Sequence, residues 1–140
     1  MDSVWTILTL QPRGWKLRKR VDRIVIFPRY TAFVGTGQVY SAPIDVRAYG
    51  EAILTAWQGT GLGTVPATLE YTVEYSADLE IWVDDGSFSP AAGTEAAFLP
   101  DLRYPWLRVK AVVTGTDPGV TAWLVGDFVY REGLGAEEAA

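Results

Sequence analysis

Two alternating stretches constrain the fold of this chain more than anything else in it. In Leu69–Tyr75, the residues Leu69, Tyr71, Val73 and Tyr75 share one face, and Glu70, Thr72 and Glu74 share the other. A period of two marks a strand with one covered face and one wet face. In Trp106–Val113, the residues Leu107, Val109, Ala111 and Val113 form the expected core face, opposite Trp106, Arg108, Lys110 and Val112. Further strands are expected at Ile44–Tyr49, Ala52–Trp57, Ile81–Val83, Ala96–Leu99 and Val120–Tyr130. Gly50, the 59–63 run, Asp84-Asp85-Gly86, Pro100-Asp101 and the 114–119 turn separate them. Short strands at this spacing, with no segment of helical period, predict an all-β chain. The expected fold is an antiparallel β-sandwich or jelly roll with a basic amino-terminal arm.

At 140 residues the chain is long enough to bury a core as one domain. The organisation expected is a basic extension at 1–43, a sandwich at 44–131 and an acidic tail at 132–140. Within the first part, Val4–Leu10, Ile24–Phe27 and Tyr30–Val34 read as strand-like pieces broken by Pro12, Gly14 and Pro28. They either pack on their own domain or extend onto a neighbour.

Composition removes several kinds of chemistry. There is no cysteine, so disulfides and thiolates are excluded. There is no histidine, the commonest metal ligand and general base. Asparagine is absent and methionine occurs once, which suits a protein built for heat or persistence. No run is long and apolar enough for a spanning helix. The apolar Val4–Leu10 precedes its basic cluster, the reverse of a secretory signal, so synthesis in the cytoplasm is expected.

The net charge of -5 is unevenly spread. Residues 1–47 carry eight Lys and Arg against three acids, whereas 48–140 carry four against fourteen. Such a split suggests two surfaces with different surroundings, or subunits that face one another. The run Arg13–Arg23 concentrates the positive charge and includes Trp15. It reads as a docking arm for an acidic protein surface; across residues 1–43 the candidate partner-binding residues are Trp5, Trp15, Lys16, Arg18, Lys19, Arg20 and Arg23. A plain solvated charge run is the alternative. Nucleic acid, through phosphate contacts and stacking on Trp15, is a weaker one, because the acidic remainder would repel it.

No constellation points to catalysis, a metal or a cofactor. Asp78, Asp84, Asp85 and Asp101 fall at expected turns, where aspartate is common, and lack calcium-loop spacing. Gly59–Gly63 is glycine-rich without a phosphate-binding lysine, and reads as a flexible loop. Six Trp and seven Tyr allow a sugar-binding reading. Trp57, Trp82, Trp106 and Trp123 are expected in core or sheet-face packing.

The element Val73–Trp82 resembles the strand, Ser-x-Asp and Trp element of discoidin-like jelly rolls. Tyr104–Val109 resembles their Tyr-x-Arg-Val strand, with Trp106-Leu107 inserted before Arg108. Small virion proteins of tailed bacteriophages carry a similar pair, followed by a turn like Thr114–Pro118. The resemblance covers roughly residues 44–130 and implies a non-enzymatic capsid decoration protein. Its implied partners are the major capsid protein or other virion subunits, and its implied location is the virion, assembled in the host cytoplasm. A homo-oligomer, with a trimer as the first guess, is the expected state. A carbohydrate-binding module and a head–tail or tail component are the alternatives.

Overall fold

A computed structural model describes residues 20–131. Nine strands follow one another: β1 (Val21–Val34), β2 (Gly37–Tyr40), β3 (Ile44–Asp45), β4 (Tyr49–Gln58), β5 (Val65–Ser76), β6 (Val83–Phe88), β7 (Glu95–Phe98), β8 (Trp106–Thr116) and β9 (Gly119–Tyr130). No helix occurs among the described residues. Every strand pair is antiparallel.

The pairing nests from the ends of the chain inward. β1 pairs with β9, β2 and β3 with β8, β4 with β7, and β5 with β6. β2 and β3 lie along successive stretches of the same side of β8, so they form one interrupted edge. The result is two sheets, ordered β1-β9-β4-β7 and β2-β8-β5-β6. This is a long hairpin folded over on itself, the jelly-roll solution that packs two antiparallel sheets face to face.

The alternation read in the sequence fills the space between the sheets. Leu69, Tyr71, Val73, Leu107, Val109, Ala111 and Val113 come from one sheet, and Ala52, Leu54, Ala56, Leu124 and Phe128 from the other. The core face of β8 is the expected one. Phe27 and Phe33 close the β1 side, with ring centroids 5.4 Å apart.

Residues 20–43 pack on their own domain. β1 runs the whole length of β9, and β2 adds to β8. Pro28 does not end a strand, because β1 lies at the edge of its sheet, where a missing N–H costs no ladder bond. Val4–Leu10 and the acidic tail at 132–140 lie outside the described residues.

Several expected breaks are bulges instead. Gly50 lies within β4, at a register shift against β9. Asp84-Asp85-Gly86 belongs to β6; Val73 pairs with Gly86 and Glu74 with Asp84, so Asp85 is the extra residue. The 59–63 loop is pinned rather than flexible. Leu62 and Gly119 exchange two backbone hydrogen bonds of 2.8 and 3.0 Å.

Candidate functional site

None of the four described tryptophans belongs to the core cluster. Trp57, Trp106 and Trp123 occupy outward positions of β4, β8 and β9, and Trp82 precedes β6. Three of them lie under an arginine. The guanidinium carbon sits 4.9 Å from the ring centroid in Arg29–Trp123, 5.6 Å in Arg47–Trp106 and 4.2 Å in Arg108–Trp82. Of the two expected positions for these rings, core and sheet face, the sheet face holds three. The interior is filled by smaller alternating side chains, which interdigitate between two sheets more easily than indoles.

The outer face of β2-β8-β5-β6 is built around Glu74. The expected wet face of β5 is not wet there, since Glu74 is only 5% exposed. Its carboxylate accepts a hydrogen bond from Arg108 Nε at 2.7 Å and lies 3.4 Å from Lys110 Nζ. Arg108 stands directly opposite Glu74 in the register, and its guanidinium also lies 4.1 Å from the Tyr40 ring. Trp82 is held nearby by a capped turn. Ser76 Oγ accepts hydrogen bonds from the Asp78 and Leu79 N–H groups, and Asp78 Oδ1 accepts from Glu80 and Ile81. The turn bends sharply through Leu79, at a φ of 70°. The two motifs noted in the sequence therefore meet, Trp82 over Arg108, in a closed structural network rather than an open site.

The outer face of β1-β9-β4-β7 is more open. Trp57 stands opposite Trp123 on β9 and opposite Glu95 on β7. Beyond Trp123, β1 departs from regular pairing: Phe27 pairs with Leu124 and Thr31 with Ala122, so Pro28, Arg29 and Tyr30 stand against Trp123 alone and the bulge holds two extra residues. Tyr30 adopts a φ of 66° and is 85% exposed. Thr31 Oγ1 donates to the Pro28 carbonyl across the bulge. A cleft of about 310 Å³ results, lined by Arg29, Tyr30, Trp57, Glu95, Thr121 and Trp123. It continues into a second hollow through Arg29, Glu95 and Trp123, towards Val25, Thr55 and Val125.

Of the partner-binding candidates, Trp5, Trp15, Lys16, Arg18 and Lys19 lie outside the described residues. Arg23 makes a bidentate pair with Asp127 on the adjacent strand, at 2.9 and 3.1 Å. Arg20 lies 4.7 Å from the Tyr130 ring centroid and 3.9 Å from Asp22. Asp101 pairs with Arg103 at 2.7 Å, and Asp78 caps its turn. Among the described residues, no group of three acids is placed to hold a metal ion. The bulge at Pro28–Tyr30 is not legible in the sequence, where Pro28 is the one signal and marks a strand end as readily as a bulge.

No family model matches the chain, and no curated protein matches it. Among solved structures, the fold is similar to that of PBSX exported protein XepA, with a TM-score of 0.59 and 15% identity, covering 79% of this chain and 38% of that one. It is similar to the VP2 subviral particle of infectious bursal disease virus, with a TM-score of 0.50 and 12% identity over 84% of this chain and 34% of that one. A family 29 carbohydrate binding module gives a TM-score of 0.39 and 13% identity, over 77% of this chain and 89% of that one. The discoidin-type resemblance finds no support in these three. The chain spans little more than a third of the first two proteins, and at these identities the likeness shows the fold alone: an all-β sandwich of two antiparallel sheets.

Proposed function

We propose that this chain is a non-enzymatic structural protein of a phage particle, which docks on and bridges virion subunits in the manner of a decoration protein. The observation that carries the reading is the placing of eight of its exposed apolar side chains at the two ends of the sandwich. Val34, Leu62 and Val65 cluster where the β1–β2, β4–β5 and β8–β9 connections meet, and Val34 is 82% exposed. Leu79, Ile81, Val83, Leu99 and Tyr104 are exposed around the opposite end, with Ile81 at 71%. β5 runs from one patch to the other, so they stand about 37 Å apart at the usual rise of an antiparallel strand. Large apolar groups at both ends of a small sandwich suit a subunit that touches two neighbours.

In this reading Lys16, Arg18, Lys19, Arg20 and Arg23 supply charge that steers encounter with an acidic partner, and Trp5 and Trp15 act as apolar anchors. Apolar contact at the two ends supplies the affinity. The sandwich fold shared with the VP2 subviral particle is compatible with such a role. The test is co-sedimentation of the full chain with assembled phage heads. Leu62→Glu and Ile81→Glu each replace an apolar contact at one end, and each is expected to weaken retention at least tenfold while the domain stays folded. Retention of both variants at the parent level would sink the proposal.

A further inference from the structure

The cleft on the outer face of β1-β9-β4-β7 plays no part in that reading. Four side chains form a row across the whole sheet: Arg29 from the β1 bulge, Trp123 from β9, Trp57 from β4 and Glu95 from β7. At the usual strand spacing the row is about 14 Å long. Its centre is aromatic, and its ends carry one cation and one carboxylate. Among the described residues, neither the Arg29 guanidinium nor the Glu95 carboxylate is engaged in a hydrogen bond or ion pair.

The backbone is bent to serve this row. Bulges re-aim side chains, and a non-glycine residue in the left-handed region is held there against a steric cost. Tyr30, at a φ of 66°, presents its ring to water at the rim of the cleft instead of burying it. Gly59 leaves the space that the Trp57 ring uses, since a Cβ there would stand 3.3 Å from Trp57 Cη2. An aromatic residue in a strained, exposed position contributes nothing evident to the fold.

We infer that this row is a binding site for a neutral glycan. The C–H face of a pyranose ring is apolar and flat enough to lie on Trp57 and Tyr30, whose ring faces are electron-rich. The hydroxyls at its rim both donate and accept. They need a donor such as Arg29 and an acceptor such as Glu95, both charged and therefore strong partners. Opposite charges at the two ends favour a neutral ligand over an anionic one. The open, continuing hollow suits a chain of sugars better than a single small molecule. The inference is independent of the docking proposal, which uses the two ends of the sandwich and not this face.

The experiment is affinity electrophoresis of the full chain in gels containing galactomannan, hydroxyethylcellulose or dextran, with light scattering on the same samples. The parent is retarded by at least one of the three. Trp57→Ala and Glu95→Gln each lose at least tenfold of that affinity. Tyr30→Gly also loses binding while its melting temperature stays at or above the parent's, because glycine accepts the φ that tyrosine does not. No retardation of the parent by any of the three overturns the inference, as does parent-like retardation of the Tyr30 and Trp57 variants. A parent dimer that Trp57→Ala splits into monomers assigns the face to a second copy and overturns it as well.

Discussion

The Glu74 carboxylate, almost wholly removed from water, is held by Arg108 Nε at 2.7 Å from the strand beside it. The cost of burying a carboxylate is offset by its partners, and Arg108 makes the shorter contact, with Lys110 at 3.4 Å. Arg108→Leu is therefore expected to destabilise the domain by about 3 kcal/mol, more than Arg108 loses in packing alone. The double variant Glu74→Leu, Arg108→Leu is expected to recover most of that loss. Urea unfolding of the parent, the single and the double variant checks both statements.

Acid should act through the same pair. Burial works to raise the Glu74 carboxyl, but the hydrogen bond and charge of Arg108, with Lys110 behind it, hold it below its ordinary value. A carboxylate with a depressed native pKa adds stability above its unfolded value of about 4.3, and that stability is lost as pH falls through the native pKa. The gap in unfolding free energy between the parent and Glu74→Gln is thus expected to be constant from about pH 5 to 7. It should narrow below about pH 4.

The Tyr71 hydroxyl is buried in the core with no hydrogen-bond partner among the described residues. An unmade bond on a buried donor is a standing cost. Tyr71→Phe keeps the ring that packs on Phe27 and Phe88 and removes the stranded oxygen. It is expected to stabilise the domain by about 1 kcal/mol, read as a raised urea midpoint at unchanged slope.

Two glycines separate backbone strain from collision. Gly35 has a φ of 88° and open space where a Cβ would stand. Gly35→Ala should cost about 1 kcal/mol, the left-handed penalty alone. Gly115 has a φ of 135°, and a Cβ there would stand 2.7 Å from the Val65 carbonyl oxygen. Gly115→Ala should cost about 3 kcal/mol, because a backbone atom cannot step aside as a side chain can. Thermal unfolding of the two variants, side by side, tests the difference.

Trp123 is 8% exposed although it lies on an outward face, because Arg29 covers it. Arg29→Ala is expected to uncover the indole and shift its emission to longer wavelength. The accompanying loss of stability should be no more than about 1 kcal/mol, the scale of an exposed cation–π contact. An unchanged spectrum would mean that some other group shields the ring.

Much of this architecture is legible in the chain itself. The alternation in Leu69–Tyr75 and Trp106–Val113 specifies which side chains face inward, because a strand repeats every two residues whatever surrounds it. The boundaries follow less well. Pro28, Gly50 and Asp84-Asp85-Gly86 read as breaks, yet each lies within a strand of the folded domain. A bulge absorbs the misfit locally, and the neighbouring strand supplies the hydrogen bonds that keep the ladder going. Whether such a residue ends a strand depends on a partner remote in sequence.

The candidate site shows the same division. The absence of cysteine and histidine already removes thiolate and imidazole chemistry, and six tryptophans supply surfaces for contact and stacking. Composition and period determine an all-β sandwich, since both are local properties of the chain. Only the tertiary structure brings Arg29, Trp123, Trp57 and Glu95 into one row, and only it buries Glu74 beneath Arg108. Those groupings depend on strand order and register, which are decided by how the whole hairpin closes on itself and not by any single segment.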